Sequence, residues 1–224
     1  MEKNFPPYQK LDMDRWPRRE HYYYYRQKLQ CGYTVTVRLD VTETLAFSRR
    51  EGLRFYGCFL YAAAKTVNET EEMRLMVGPD GVPGLWETVH VNFTVFHQED
   101  KTFSNLWTEY HPDFREFYQD FETVVTTYGD CRGVEGRPGK PANFFCISAV
   151  PWLDYTGYSA DVPGEHALFP VIAYGKYREE AGRYTLPLSM TISHAAADGY
   201  HTAMFFRSLQ ENLDAFGRGI QKPD

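Results

Sequence analysis

The sequence has no run of apolar residues approaching the roughly 20 that a membrane-spanning helix needs, so no membrane partner is expected. It also lacks a basic block. Its 24 Lys and Arg stand against 30 Asp and Glu, a net charge of −6, which leaves no electrostatic footprint for nucleic acid. A local basic site for a phosphorylated ligand remains compatible with that balance. Cysteine is scarce: Cys31, Cys58, Cys131 and Cys146 show no C-x-x-C spacing, which excludes the common zinc and dithiol motifs. Reduced thiols in a cytoplasmic protein are the expectation. The first residues, 1–7, lack the apolar segment of a secretory signal. No internal repeat or long linker divides the 224 residues, so one domain is expected over 1–217, followed by a flexible tail, 218–224.

Aromatic residues, by contrast, make up 17% of the chain, and hydrophobic residues 43%. The first figure points to an aromatic-lined interface or pocket. Strict alternation over 34–41 and 90–97 predicts half-buried strands, with Thr42 capping the helix that follows the first. The Ala-rich, apolar stretch 55–68 predicts a buried helix. The Gly78-Pro79-Asp80-Gly81 segment predicts a hairpin turn. Residues 102–128 read as one long helix, because Phe114, Phe117, Phe121, Val124 and Val125 recur near every 3.6 positions. A Gly-, Pro- and charge-rich loop follows at 129–141. Strands are expected at 143–150, 169–177 and 184–193, the last two joined by a hairpin through Glu179-Glu180-Ala181-Gly182. A final helix, 199–216, should be stopped by Gly217. This order predicts an α/β or α+β fold with a mixed sheet covered by helices on one side.

The segment richest in chemistry is Ser193-His194-Ala195-Ala196-Ala197-Asp198-Gly199-Tyr200-His201. An apolar strand ends at a histidine, three small residues permit a tight turn, and Asp-Gly opens a helix. Gly199 is expected to take a backbone conformation closed to other residues. A strand-end imidazole beside open space suits a general base near neutral pH. The same pattern is also met by an ordinary buried His194 beside a helix-capping Asp198. His194, Asp198 and His201 are all metal-ligand types, but their spacing matches no metal motif, so no metal is expected. A serine hydrolase would need G-x-S-x-G, and Gly157-Tyr158-Ser159-Ala160-Asp161 lacks the final glycine.

With further blocks the sequence resembles the chloramphenicol acetyltransferases over nearly its whole length. These are Trp16-Pro17-Arg18-Arg19-Glu20-His21, Arg54-Phe55-Tyr56, Thr94-Val95-Phe96-His97, Thr102-Phe103-Ser104-Asn105-Leu106-Trp107, Ser148-Ala149-Val150-Pro151-Trp152 and Gly175-Lys176-Tyr177. H-x-x-x-D-G occurs throughout the coenzyme-A-dependent acyltransferases, and the flanking blocks select this branch. The resemblance implies the two-layer sandwich of that superfamily. It implies acetyl transfer from acetyl-CoA to a hydroxyl of chloramphenicol in a direct ternary complex, with antibiotic resistance as its consequence. His194 matches the catalytic base and Ser148 the donor to the oxyanion. Asp198 and Arg18 match a supporting ion pair. Arg54, Tyr56, Trp152, Lys176 and Tyr177 match coenzyme A positions, and Tyr25, Cys31, Tyr33 and Phe103 match the acceptor pocket. A homotrimer is implied, each site taking His194 from one subunit and much of the acceptor pocket from its neighbour.

Several positions depart from the family pattern. Ser193 replaces the first of two adjacent histidines, Ala173 a threonine and Ala160 a leucine, and the 129–141 loop is charged where the family's is apolar. A different alcohol acceptor, or a ligand-binding relative without catalysis, fits the same departures.

Overall fold

The computed structural model describes residues 5–160 and 168–220. The strands β1 (Tyr8–Lys10), β2 (Gly32–Asp40), β3 (Leu75–Val77), β4 (Pro83–Trp86), β5 (His90–Phe96), β6 (Phe103–Thr108), β7 (Phe144–Val150), β8 (Val171–Gly175), β9 (Arg178–Glu180) and β10 (Arg183–Ser193) form two sheets. The larger is ordered β2-β10-β8-β7-β5-β6, with β9 paired to β10; the smaller is β1-β4-β3. The pairs β5–β7 and β7–β8 are parallel and the others antiparallel, which makes the larger sheet mixed, as expected.

Alternation dictates the layers. Leu186, Leu188 and Met190 of β10 pair with Leu39, Val37 and Val35 of β2, and all six face the core. Val91 and Phe93 of β5 and Phe145 and Ile147 of β7 join them. A short helix, α1 (Arg19–Tyr23), precedes β2, and against this face pack α2 (Thr42–Glu51), α3 (Phe55–Glu69), α4 (Phe114–Tyr128) and α5 (Gly199–Asp214). Helix α3 is apolar nearly all round because it is central: Cys58 to Leu60 and Ala62 to Ala64 are fully buried. The opposite face of the sheet carries Thr34, Thr36, Ser148, Ala173, Ser189 and Thr191, and among the described residues the helices α2–α5 pack on the other side.

Three expectations change. The helix predicted over 102–128 is two elements, β6 and α4. Ser104, Leu106 and Thr108 are buried in alternation with Phe103, Asn105 and Trp107, a period of two hidden beside the stronger helical stripe. Pro112 disfavours helix at His111, and Asp113 starts α4 by accepting from the N–H groups of Arg115 and Glu116 at 2.8 and 3.3 Å. Thr42 does not cap α2; Asp40 Oδ1 accepts the Thr42 N–H at 2.8 Å, and the Thr42 hydroxyl instead accepts from Tyr184 N at 2.8 Å. Helix α5 ends in a 3-10 turn, Ala215–Arg218, that includes Gly217, and the left-handed residue is Gly219, φ 109°. Ile220 packs on the core, while residues 221–224 of the tail expected from 218 lie outside the described residues. The hairpin at Ala181-Gly182 forms, joining β9 to β10.

Helices α3 and α4 approach closely at Gly57, where a Cβ would lie 2.7 Å from ring atoms of Phe121 and Tyr118. Both rings are buried and cannot swing away. Gly57→Val is therefore expected to destabilise the fold by about 1–3 kcal/mol through overpacking, read as a lower thermal unfolding midpoint.

Candidate active site

Strand β10 delivers His194. The strand ladder continues one step past Ser193, with His194 N donating to the Cys31 carbonyl at 2.9 Å. The chain then turns sharply. Ser193 O accepts from Ala196 N and Ala197 N at 2.9 and 3.2 Å, and Ser193 Oγ accepts from Ala195 N at 3.3 Å. Ala195, Ala196 and Ala197 are fully buried, so small side chains are required there. Gly199 is not: its φ is not in the left-handed region, and a Cβ would meet nothing within 4 Å. The expected conformational role for Gly199 is therefore absent, and the helix start is marked by Asp198 together with His201 three residues on.

The imidazole is held by aromatic contact. Tyr25, in a single π-helical turn Tyr24–Lys28, stacks on His194 with centroids 3.8 Å apart and planes at 7°. Tyr33 stands at 5.1 Å, and burial pushes its phenol pKa up. Nδ1 of His194 is buried, which leaves Nε2 as the nitrogen able to meet a substrate.

Asp198 opens α5 and accepts from Tyr200 N at 3.0 Å. Its Oδ2 accepts from Arg18 Nη1 at 2.6 Å, so the expected pair is formed between the start of the chain and the histidine turn. Partial burial raises the Asp198 pKa, but the Arg18 hydrogen bond, the charges of His201 and Arg18 and the Tyr200 N–H outweigh it and hold the carboxyl below its ordinary value.

Ser148 lies elsewhere. It occupies β7 on the face opposite helices α2–α5, in one row with Ala173 of β8 and Ser189 of β10. Ser193 is four residues beyond Ser189, roughly 14 Å along the strand, and two strand spacings add about 10 Å sideways. Within one chain, Ser148 and His194 therefore cannot meet at one carbonyl. The acceptor-pocket residues divide in the same way. Tyr25, Cys31 and Tyr33 gather at His194, whereas Phe103 is on the far edge strand β6, half exposed, on the side of Ser148.

The coenzyme A candidates collect at the end of the sheet towards which β7 and β8 run. Lys176 N donates to Leu153 O at 2.7 Å, which brings Lys176 and Tyr177 beside Trp152. Trp152 is 56% exposed and edge-on to Phe96, with centroids at 4.7 Å. Tyr177 packs on Phe55, and Arg54 immediately precedes α3 with Nε 3.3 Å from Glu122. Exposed cations beside exposed rings suit a phosphorylated, adenine-bearing ligand. Tyr56 differs: its hydroxyl donates to Thr94 O at 3.1 Å, and its ring packs among Phe93, Phe121 and Tyr174. Phe55 and Phe96, which hold two of these rings, were not singled out in the sequence, although both lie inside blocks that were.

The 129–141 loop lies along the outer edge of β6. Asn105 N donates to Val134 O at 2.8 Å, and Gly136 N donates to Asn105 O at 3.0 Å. Its charges are used locally: Arg132 pairs with Glu99 and Asp100, and Arg137 covers the Trp107 ring at 3.7 Å. Ala160 is partly buried just before the undescribed stretch 161–167. Among the described residues no cluster of three His, Cys, Asp or Glu could hold a metal. Burial pushes the Cys58 thiol up to about 12 and raises that of Cys146 too, which keeps both neutral.

Comparisons with known proteins point to one family. Residues 6–210 match the family model described as Chloramphenicol acetyltransferase. A chloramphenicol acetyltransferase from Streptomyces acrimycini is 38% identical over 214 residues, 95% of this chain and 97% of the relative. One from Clostridium perfringens is 34% identical over 209 residues, 93% of this chain and 99% of the relative. A solved chloramphenicol acetyltransferase structure superposes with a TM-score of 0.82 at 24% identity, covering 92% of this chain and all of its own.

The Arg18–Asp198 pair gives a pH-dependent expectation. A carboxyl with a lowered folded-state pKa contributes stability that is complete above the unfolded value, near ~4, and lost as pH falls through the folded one. Asp198→Ala should cost about 1–3 kcal/mol at pH 7, less than a fully buried pair because Asp198 is one-third exposed. The difference from the parent should shrink below pH ~4. Urea unfolding across pH checks both.

Proposed function

The chain belongs to the chloramphenicol acetyltransferase family and is an acyltransferase, and on that premise we propose that it transfers acetyl from acetyl-CoA to a hydroxyl of chloramphenicol. His194 is the general base. Through Nε2 it takes the hydroxyl proton, and the freed oxygen pair attacks the acetyl carbonyl carbon. Ser148 Oγ donates to the carbonyl oxygen as negative charge develops there. The C–O bond forms, the C–S bond breaks, and the proton held by His194 passes to the departing sulfur. The products are the acetyl ester and the free thiol, and neither protein residue is acetylated. The Tyr25 stack fixes the imidazole plane, and the Arg18–Asp198 pair anchors the turn that carries it. Lys176 and Arg54 meet the phosphates of coenzyme A, Trp152 and Tyr177 line its path, and Tyr56 supports that path from within the core.

The observation that carries the two-copy form of this reading is the separation of Ser148 from His194. The His194 end of one subunit completes the Ser148 end of the next, and closing that contact in a ring gives a homotrimer working in the cytoplasm. Tyr25, Cys31 and Tyr33 then line the acceptor pocket from the histidine's side and Phe103 from the serine's side.

His194→Ala should lower turnover by about 10²- to 10⁴-fold with the assembly intact, and Ser148→Ala should lower kcat by about 10²-fold with little change in KM. Mixed oligomers of these two variants test the geometry. Co-refolding should restore turnover well above either variant alone, because some interfaces then pair an intact His194 with an intact Ser148. No recovery would mean that each site lies within one chain.

A second reading, acetyl transfer to another alcohol, is favoured by the loop chemistry: the 129–141 segment runs beside β6, the strand that carries Phe103, with charge and with exposed Val134 rather than an apolar wall. Lost apolar contact is worth about 25 cal/mol per Å². Chloramphenicol is therefore expected to be acetylated with a high KM, while KM for acetyl-CoA stays ordinary. Thiol release with each substrate varied in turn measures both, and tight chloramphenicol binding would remove the loop from the pocket.

A further inference from the structure

We propose that His201 is a positioning residue for the transfer: it holds the second oxygen of the Asp198 carboxylate and, through it, the turn that carries His194. This deepens the assignment of His194 as base and rests on it. The two oxygens of Asp198 have separate partners. Oδ2 is taken by Arg18 at 2.6 Å, and Oδ1 lies 2.8 Å from His201 Nδ1. The other ring nitrogen, Nε2, lies 3.3 Å from Glu72 Oε1, on the short turn Glu71–Arg74 that follows α3. His201 and Glu72 are 18% and 25% exposed, so water competes weakly for these contacts. The imidazole is thus held at both nitrogens by carboxylates from distant parts of the sequence.

This arrangement has a mechanical consequence. Without His201 the carboxylate is held by Arg18 on Oδ2 and by the Tyr200 N–H on Oδ1. His201 Nδ1, donating to Oδ1 at 2.8 Å, adds a third contact that ties the carboxylate plane to the imidazole and, through Nε2, to Glu72. Between Asp198 and His194 lie only Ala195, Ala196 and Ala197, all fully buried. That link has no slack, so a displacement of Asp198 carries His194 with it. Misplacing a reacting group by about 1 Å can cost on the order of 10²-fold in rate. Glu72 therefore ties the catalytic turn to the segment between α3 and the smaller sheet, on the side away from Arg18.

Kinetics and thermal unfolding of His201→Phe, His201→Asn, Asp198→Ala and the His201→Phe/Asp198→Ala double variant test this in the full-length protein. Phenylalanine keeps the ring and removes both polar contacts, whereas asparagine keeps a donor near the Nδ1 position. His201→Phe should lower kcat on the order of 10²-fold with both KM values unchanged, and His201→Asn should recover most of that loss. A His201→Phe protein with the parent's kcat, or equal losses in the two variants, would overturn the proposal. The unfolding midpoints need no activity. His201→Phe should lower the midpoint less in the Asp198→Ala background than in the parent, because its partner is already gone. Equal shifts in the two backgrounds would also overturn it. A parent that releases no thiol with any alcohol would instead defeat the assigned reaction, and the midpoint cycle would still decide the contact.

Discussion

The site depends on the register of one strand. β10 runs for 11 residues and pairs with β2 over most of its length and with β8 at its centre. Leu186, Leu188 and Met190 commit one face of it to the core, and a slip by one residue would turn all three to the opposite side. The cost of exposing three such side chains locks the register. With it are locked the rows that join Ser148 to Ser189, and the point at which the strand releases His194 into its turn. The placement of Ser148 and His194 is thus fixed by hydrophobic alternation well away from either side chain's polar atoms.

The same sheet sets Ser148 and His194 apart within one chain. Its face opposite helices α2–α5 is lined with small hydroxyl and alanine side chains. At its centre these are covered within the chain by the segment that carries Tyr155 and Ser159, Tyr155 donating to Ala173 O at 2.6 Å. The histidine end carries its own stacking ring and ion pair. The serine end carries the cations and exposed aromatics suited to a nucleotide-bearing thioester. Neither end has to adjust the other's groups, since each is organised by its own secondary structure.

The strands β2, β5, β7, β8 and β10, the buried helix α3 and the histidine turn were legible in the sequence because each follows a simple local rule: alternation, an apolar run, or small residues between a strand and a capping aspartate; the short strands β1 and β9 were not. β6 was not, because its buried Ser104 and Thr108 are polar and disguise the period of two; their burial is supported by contacts distant in sequence, such as Thr108 Oγ1 on Asp120 at 2.5 Å. At the site, the residue types were legible through the quoted blocks, and the Arg18–Asp198 pair lies where they imply. The division of Tyr25, Cys31 and Tyr33 from Phe103 was not legible, because it follows from strand order, which short motifs do not encode. Gly199 shows the opposite error, a glycine credited with a backbone role that its φ does not require.

The 129–141 loop also occupies the unpaired edge of the larger sheet. By hydrogen bonding to both backbone groups of Asn105, it removes part of the template that would let β6 recruit a strand from another chain. Its charged residues then face solvent where a flat apolar edge would otherwise invite association. Remodelling this loop to admit a new acceptor therefore also alters how the protein guards against aggregation. If the loop also borders the acceptor pocket, as proposed above, residues 129–141 answer to two demands at once.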